Sequence, residues 1–123
     1  MASLRGKPVV LNLWSSSCTI CKAEAPAMES VASRVGHAVT FVGIDTMDQR
    51  GTALGFLHRY HVTYLQLFDP AERVGSGYGI AGFPVTVFVS DRGKVVGEYL
   101  GGLSRKTLGH YLKTLFAIQL PPS

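Results

Sequence analysis

Trp14-Ser15-Ser16-Ser17-Cys18-Thr19-Ile20-Cys21-Lys22-Ala23-Glu24-Ala25-Pro26 contains both cysteines of the chain, two residues apart. The stretch follows an apolar run and opens a segment with helical spacing. A Cys-x-x-Cys at a strand-to-helix junction is the pattern of a dithiol redox site. A bridge between Cys18 and Cys21 closes too short a loop to staple distant segments, so its value is chemical.

On the N-terminal side, Pro8 to Trp14 is nearly continuously apolar, as a central strand covered on both faces is. Asn12 interrupts the run, either as a hydrogen-bonded core amide or as a group with a catalytic part. On the C-terminal side, Ser16 or Ser17 is placed to cap the helix. Cys21, Ala25, Met28, Ala32 and Val35 recur on one helical face, which puts Cys21 inside and Cys18 in the more exposed first turn. Pro26 falls within the pattern and is expected to kink or interrupt the helix. Gly36 ends it.

Val39 to Ile44 reads as the second strand, completing a βαβ unit. Asp48 to about Tyr60 reads as a helix with Leu54, Leu57 and His61 on one side. Leu65 to Phe68 is a short strand, and Asp69-Pro70-Ala71-Glu72 has the form of a capped helix start. Val85 to Val89 is a buried strand. Asp91-Arg92-Gly93 is a hairpin turn, and Lys94 to Leu100 returns antiparallel and partly exposed. Ser104 caps a last helix, with Leu103 and Leu108 as its hydrophobic staple and Leu108, Tyr111, Leu112, Leu115 and Phe116 as its apolar face. One domain over residues 4–118 and a tail over 119–123 are expected.

With 123 residues, 46% of them hydrophobic and 16% charged, the chain is long and apolar enough to build one core without staples. Net charge is +4, but no run of cationic residues exceeds two, so no nucleic-acid stripe is present. No apolar run is long enough to span a bilayer, and no signal peptide precedes the first strand.

A thiol attacks a disulfide as the thiolate. Free N–H groups and the dipole at a helix N-terminus favour that anion, which makes Cys18 the expected nucleophile and Cys21 the resolving thiol. Glu24, three residues after Cys21, lies on the same helical flank. It is either a buried proton partner of Cys21 or a solvated surface glutamate. Gly77-Tyr78-Gly79-Ile80-Ala81-Gly82 spells G-x-G-x-x-G, but with a helix before it and a strand after it the order is wrong for a dinucleotide site. Phe83-Pro84 opens the strand Val85–Val89, which proline tolerates. A different class of function also fits: Cys18 and Cys21 holding copper with a histidine, His58 or His61. A peroxidase is disfavoured, because no Thr-x-x-Cys motif occurs.

Four pieces in order resemble the thioredoxin superfamily, and within it the bacterial TlpA/ResA/CcmG-like thiol-disulfide oxidoreductases. They are Gly6-Lys7-Pro8-Val9-Val10-Leu11-Asn12-Leu13-Trp14, Cys18-Thr19-Ile20-Cys21-Lys22-Ala23-Glu24-Ala25-Pro26, Tyr78-Gly79-Ile80-Ala81-Gly82-Phe83-Pro84-Val85-Thr86, and Gly102-Leu103-Ser104. The resemblance covers nearly the whole chain. It implies an α/β thioredoxin-like fold, a central mixed sheet flanked by helices. A helix and strand are inserted between the βαβ unit and the strand after Pro84.

The resemblance also implies a catalytic set of Cys18, Cys21, Glu24 and a cis Pro84, and a substrate groove lined by Trp14, Ser17, Thr19, Ile20, Gly82 and Phe83. The redox-active Cys18–Cys21 disulfide serves in place of any cofactor or metal. Asn12 stands where cytosolic thioredoxins carry a buried aspartate, and Glu24 takes over that proton. Two departures leave the direction of electron flow open. Ser17 replaces a groove tryptophan, and Thr19-Ile20 matches neither the Gly-Pro of reducing thioredoxins nor the Pro-His of DsbA oxidases. Across the superfamily the potential spans roughly 150 mV, or about 7 kcal/mol. The implied protein is a monomeric, extracytoplasmic disulfide exchanger. It would be reducing towards apocytochrome c or other exported proteins, with oxidation of secreted proteins as the alternative. It would work with a membrane electron donor or acceptor, and be tethered or exported through a segment outside this chain.

Overall fold

The computed structural model of the chain describes residues 6–14, 18–46, 50–69 and 84–120. Strand β1 (Val9–Trp14) is buried along its whole length. It is followed by helix α1 (Thr19–Val35), strand β2 (Thr40–Thr46), helix α2 (Arg50–Arg59) and strand β3 (Leu65–Asp69). Strand β4 (Val85–Val89), strand β5 (Val95–Leu100) and helix α3 (Arg105–Phe116) come after.

The strands form one sheet in the order β3-β2-β1-β4-β5. β2 lies parallel to both β1 and β3, whereas β4 is antiparallel to both β1 and β5. The sheet is therefore mixed, as expected, with β1 at its centre. A central strand loses water on both faces, which explains a sequence with almost no polar alternation.

Register sorts the two faces. Val10, Asn12 and Trp14 share a face with Phe41 and Gly43 of β2 and with Thr86 and Phe88 of β4. Against this face pack Met28, Val31, Ala32 and Val35 of α1 and Leu108 and Leu112 of α3. The opposite face is a second cluster that includes Val9, Leu11, Leu13, Val85 and Val87.

Local chemistry sets the boundaries. Gly93 takes φ 83°, where only glycine is unstrained, and Ser90 N–H donates to the Lys94 carbonyl at 2.7 Å to close the β4–β5 hairpin. Ser104 Oγ accepts the Thr107 N–H at 3.1 Å and caps α3. Leu103 and Leu108 are both buried in the main core. α3 ends at Ala117 in a left-handed conformation, with the Ile118 N–H bonded back to the Leu112 carbonyl. Leu120, assigned by sequence to the tail, packs against the core.

Two expectations need correction, and a third is narrowed. β2 continues two residues past Ile44, because parallel pairing with β1 reaches Asp45 and pairing with β3 reaches Thr46. Pro26 does not interrupt α1, one of the two outcomes expected of it. The carbonyl that loses its donor belongs to Lys22, an exposed residue that water can serve. α2 buries a different face: Phe56 is buried and Leu57 half-buried, but Leu54 is 49% exposed and His61 lies beyond the helix, exposed, at φ 54°. Two glycines and a weak periodicity had hidden the real face. Asp69 is the last residue of β3, and the helix expected beyond it lies outside the described residues.

Candidate active site at the head of helix α1

Cys18 is itself the N-cap of α1. Its backbone is extended, at φ −82° and ψ 110°, and its Sγ accepts the Cys21 N–H at 3.1 Å. The sulfur thus performs the task expected of Ser16 or Ser17, and it does so with a donor that stabilises negative charge on it. Cys18 and Cys21 are joined as a disulfide, with Cα atoms 5.2 Å apart. Cys18 is half-buried, whereas Cys21 is 2% exposed. Thr19 and Ile20 face solvent between them. One sulfur is open to a partner and the other is not.

One turn on, the Glu24 carboxylate is buried. Its Oε1 accepts from Asn12 Nδ2 at 2.8 Å and its Oε2 accepts the Leu103 N–H at 2.9 Å. Asn12 Nδ2 also reaches Thr86 Oγ1 at 3.3 Å, so Asn12 is a hydrogen-bonded core amide and at the same time the ligand of Glu24. Burial pushes the Glu24 carboxyl above its ordinary value, and the bonds from Leu103 and Asn12 pull partly against that.

Glu24 and Cys21 line one narrow cavity with Asn12, Trp14, Phe56 and Tyr64. Its volume of about 10 Å³ is at the lower limit for a single water molecule. Burial raises the Tyr64 phenol, and the Glu24 and Glu29 carboxylates add to the effect. Glu29 holds the segment before Tyr64 against α1 by accepting the Thr63 N–H and hydroxyl, each at 2.6 Å.

Trp14, expected in the substrate groove, instead lies beneath the dithiol, buried in a cluster with Cys21, Ala25 and Phe56. Its ring stacks on Phe56 with centroids 4.4 Å apart. The last residue of a central strand points into the core here, because α1 folds back over it.

Glu24 also borders a wider outer recess of about 220 Å³, lined by Ile20, Ala23, Gly102, Leu103 and Ser104. The side chain of Ile20 passes so close to Gly102 that a Cβ there would lie 2.6 Å from its Cγ2. Pro84 is buried, and its carbonyl accepts the Gly101 N–H at 2.9 Å. Because Val85 pairs with Leu13, Pro84 stands at the sheet end where β1 leads to the dithiol. Ser17, Gly82 and Phe83, and with Phe83 the peptide bond to Pro84, lie outside the described residues. His58 and His61 are both exposed.

Residues 1–97 match the AhpC/TSA family. The chain belongs to that family. Among its relatives is the thiol:disulfide interchange protein DsbE of Pseudomonas fluorescens biotype C, 33% identical over 101 residues, which are 81% of this chain and 55% of the relative. Another is the soluble secreted antigen MPT53 of Mycobacterium bovis, 39% identical over 87 residues, 71% of this chain and 50% of the antigen. This AhpC/TSA-family chain thus spans about half the length of these curated relatives. The structure of MTB DsbF in mixed oxidised and reduced forms superposes with a TM-score of 0.85 at 34% identity, covering 92% of this chain and 84% of that one. The thioredoxin-like fold expected from the sequence is the fold of the chain.

Four contributors escaped the sequence reading. Phe56 and Tyr64 wall the cavity, Leu103 contributes a backbone N–H, and Gln66 accepts the indole N–H of Trp14 at 3.1 Å. Phe56, Leu57 and Tyr60 share one face by helical spacing, and that spacing is their sequence signal. A backbone donor such as that of Leu103 has no sequence signal.

Proposed function

We propose that the protein is a thiol-disulfide oxidoreductase that keeps protein thiols reduced outside the cytoplasmic membrane. The observation that carries the reading is the unequal pair: a half-buried Cys18 capping α1, and a buried Cys21 sharing a water-sized cavity with the raised carboxyl of Glu24. The relatives named for thiol:disulfide interchange and for secretion support it.

In the reducing direction the Cys18 thiolate attacks a substrate disulfide. One substrate sulfur leaves as a thiolate, and the other is held to Cys18 as a mixed disulfide. Cys21 gives its proton to ionised Glu24 and attacks Cys18 Sγ. The second substrate thiolate leaves, and the Cys18–Cys21 disulfide forms. Two electrons pass from the dithiol to the substrate. A base is needed at Cys21, because a thiol with no water around it ionises reluctantly. Glu24 borders both the narrow cavity and the wider outer recess, so it is also placed to return the proton towards solvent. In this reading Trp14 shapes the cavity. Ile20, Thr19, Ser17, Gly82 and Phe83, with Pro84 as a cis residue, line the approach to Cys18. Substrates are protein disulfides such as those of apocytochrome c or other exported proteins, and a membrane electron donor restores the dithiol.

The deciding measurement is the equilibrium of the Cys18–Cys21 couple with glutathione. A potential near the thioredoxin value of about −270 mV is expected. A value near that of DsbA, about −120 mV, would reverse the assigned direction. No turnover of any disulfide substrate would remove the enzymatic reading.

A further inference from the structure

Trp14 is held from a direction that the dithiol chemistry does not require. The bond to its indole N–H comes from Gln66 on β3, an edge strand that pairs with β2 and not with β1. To reach β1, the Gln66 side chain has to cross β2. Register shows how. A row of paired residues runs across the sheet from Gln66 to Gly43 to Asn12 to Thr86. Gly43 sits between Gln66 and Asn12, and a Cβ on it would collide with the Gln66 amide. The missing side chain opens a slot across β2, and Gln66 lies through it. Its Nε2 donates to the Tyr64 carbonyl at 3.3 Å, which leaves Oε1 turned towards the indole. Its neighbours Leu65 and Leu67 point the other way and are 49% and 43% exposed. Gln66 is thus the residue that β3 sends towards the site.

The stack on Phe56 resists tilting of the Trp14 ring but not sliding in the ring plane. A hydrogen bond at the ring edge stops the slide. The cavity behind the ring is water-sized, so a displacement of a fraction of an ångström closes it or opens it.

We propose that Gln66 is a positioning residue of the dithiol site. Through the slot at Gly43 it locks Trp14 against Phe56 and so sets the shape of the cavity that Cys21 and Glu24 share. This rests on the reading of that cavity as the place where the resolving thiol is deprotonated.

The test is a double-substitution cycle with Gln66→Ala, Gly43→Ala and the pair. The three atoms nearest to a Cβ on Gly43 all belong to the Gln66 amide, so Gly43→Ala is expected to act through Gln66. Trp14 is the one tryptophan of the chain, so its emission reports its own setting. Each single substitution is expected to shift that emission. Each is also expected to slow release of a mixed disulfide from Cys18 by roughly tenfold to a hundredfold, the scale of a small misplacement at a reacting centre. The pair is expected to be no worse than Gln66→Ala alone. Gln66→Glu keeps an oxygen for the indole and is expected to retain the emission of the parent. Additive effects of the two substitutions, or an emission unmoved by Gln66→Ala, would overturn the proposal. If Gly43→Ala does not fold, Gln66→Ala against Gln66→Glu decides on emission alone. If the parent protein exchanges no disulfides, the functional reading fails, while the emission cycle still decides whether Gln66 sets Trp14.

Discussion

The Leu103 N–H donates to Glu24 Oε2 at 2.9 Å, joining residues 79 apart in sequence. The bond ties the segment leading into α3 to the first turns of α1. A buried carboxylate here is both a structural acceptor and a titrating group, and the two parts separate by substitution. Glu24→Ala leaves the Leu103 N–H buried without its acceptor, at about 1–3 kcal/mol, and leaves the Asn12 amide only the longer bond to Thr86 Oγ1. Urea denaturation of the oxidised protein is expected to show that loss, and mixed disulfides on Cys18 are expected to persist.

The pH dependence of stability follows from the same group. The Glu24 carboxyl is raised in the folded protein, so the fold binds its proton more tightly than the unfolded chain does. That contribution is complete below the ordinary value of 4.5 and is lost as pH rises through the folded value. Stability is therefore expected to fall as pH climbs above 4.5, and Glu24→Gln, which cannot ionise, is expected to flatten that slope. Denaturation midpoints of both proteins over acid to neutral pH would check it. A Glu24→Gln variant whose stability falls more steeply with pH than the parent's would show the carboxylate to be the favoured form.

The cysteines are predicted to fail in different ways. Cys18→Ser removes the exposed sulfur and is expected to abolish exchange and mixed-disulfide formation alike. Cys21→Ser leaves the attacking sulfur in place and is expected to accumulate adducts, visible as added mass on non-reducing gels. Equal trapping by both variants would contradict the assigned roles.

Phe56→Ala removes the ring stacked on Trp14 and enlarges the cavity behind Cys21. A loss of about 3–5 kcal/mol is expected, the usual cost of such a truncation in a core. Leu54→Ala, on the exposed side of the same helix, is expected to stay within about 0.5 kcal/mol. A reversed ranking in thermal or urea denaturation would mean that α2 buries the face first read from its sequence.

His58→Ala with His61→Ala tests the metal-holding alternative. Both rings are exposed, and disulfide exchange is expected to be unchanged by the double substitution. Stoichiometric Cu(I) retention by the parent, lost in this variant, would favour the metal role.

What the sequence determined by itself was local. The apolar run of β1, the helical recurrence of Cys21, Ala25, Met28 and Val35, the turn at Gly93 and the cap at Ser104 are written in neighbouring residues, and each is where the spacing placed it. The unequal burial of Cys18 and Cys21 also follows from spacing, since three residues carry a helix from its open end to its inner face. The tertiary structure decided what those elements meet. Glu24 was legible as either a surface charge or a proton partner. Its burial, which rules out the solvated surface glutamate, came with hydrogen bonds from Asn12 on β1 and a backbone N–H at Leu103, neither near it in sequence. Trp14 looked like a groove residue until α1, lying over the sheet, turned it into the floor beneath Cys21. Gln66 and Gly43 show the limit most plainly. An ordinary polar residue and an ordinary glycine acquire their parts from strand order and register. Those depend on burying both faces of β1 at once, and no single stretch of the chain encodes that.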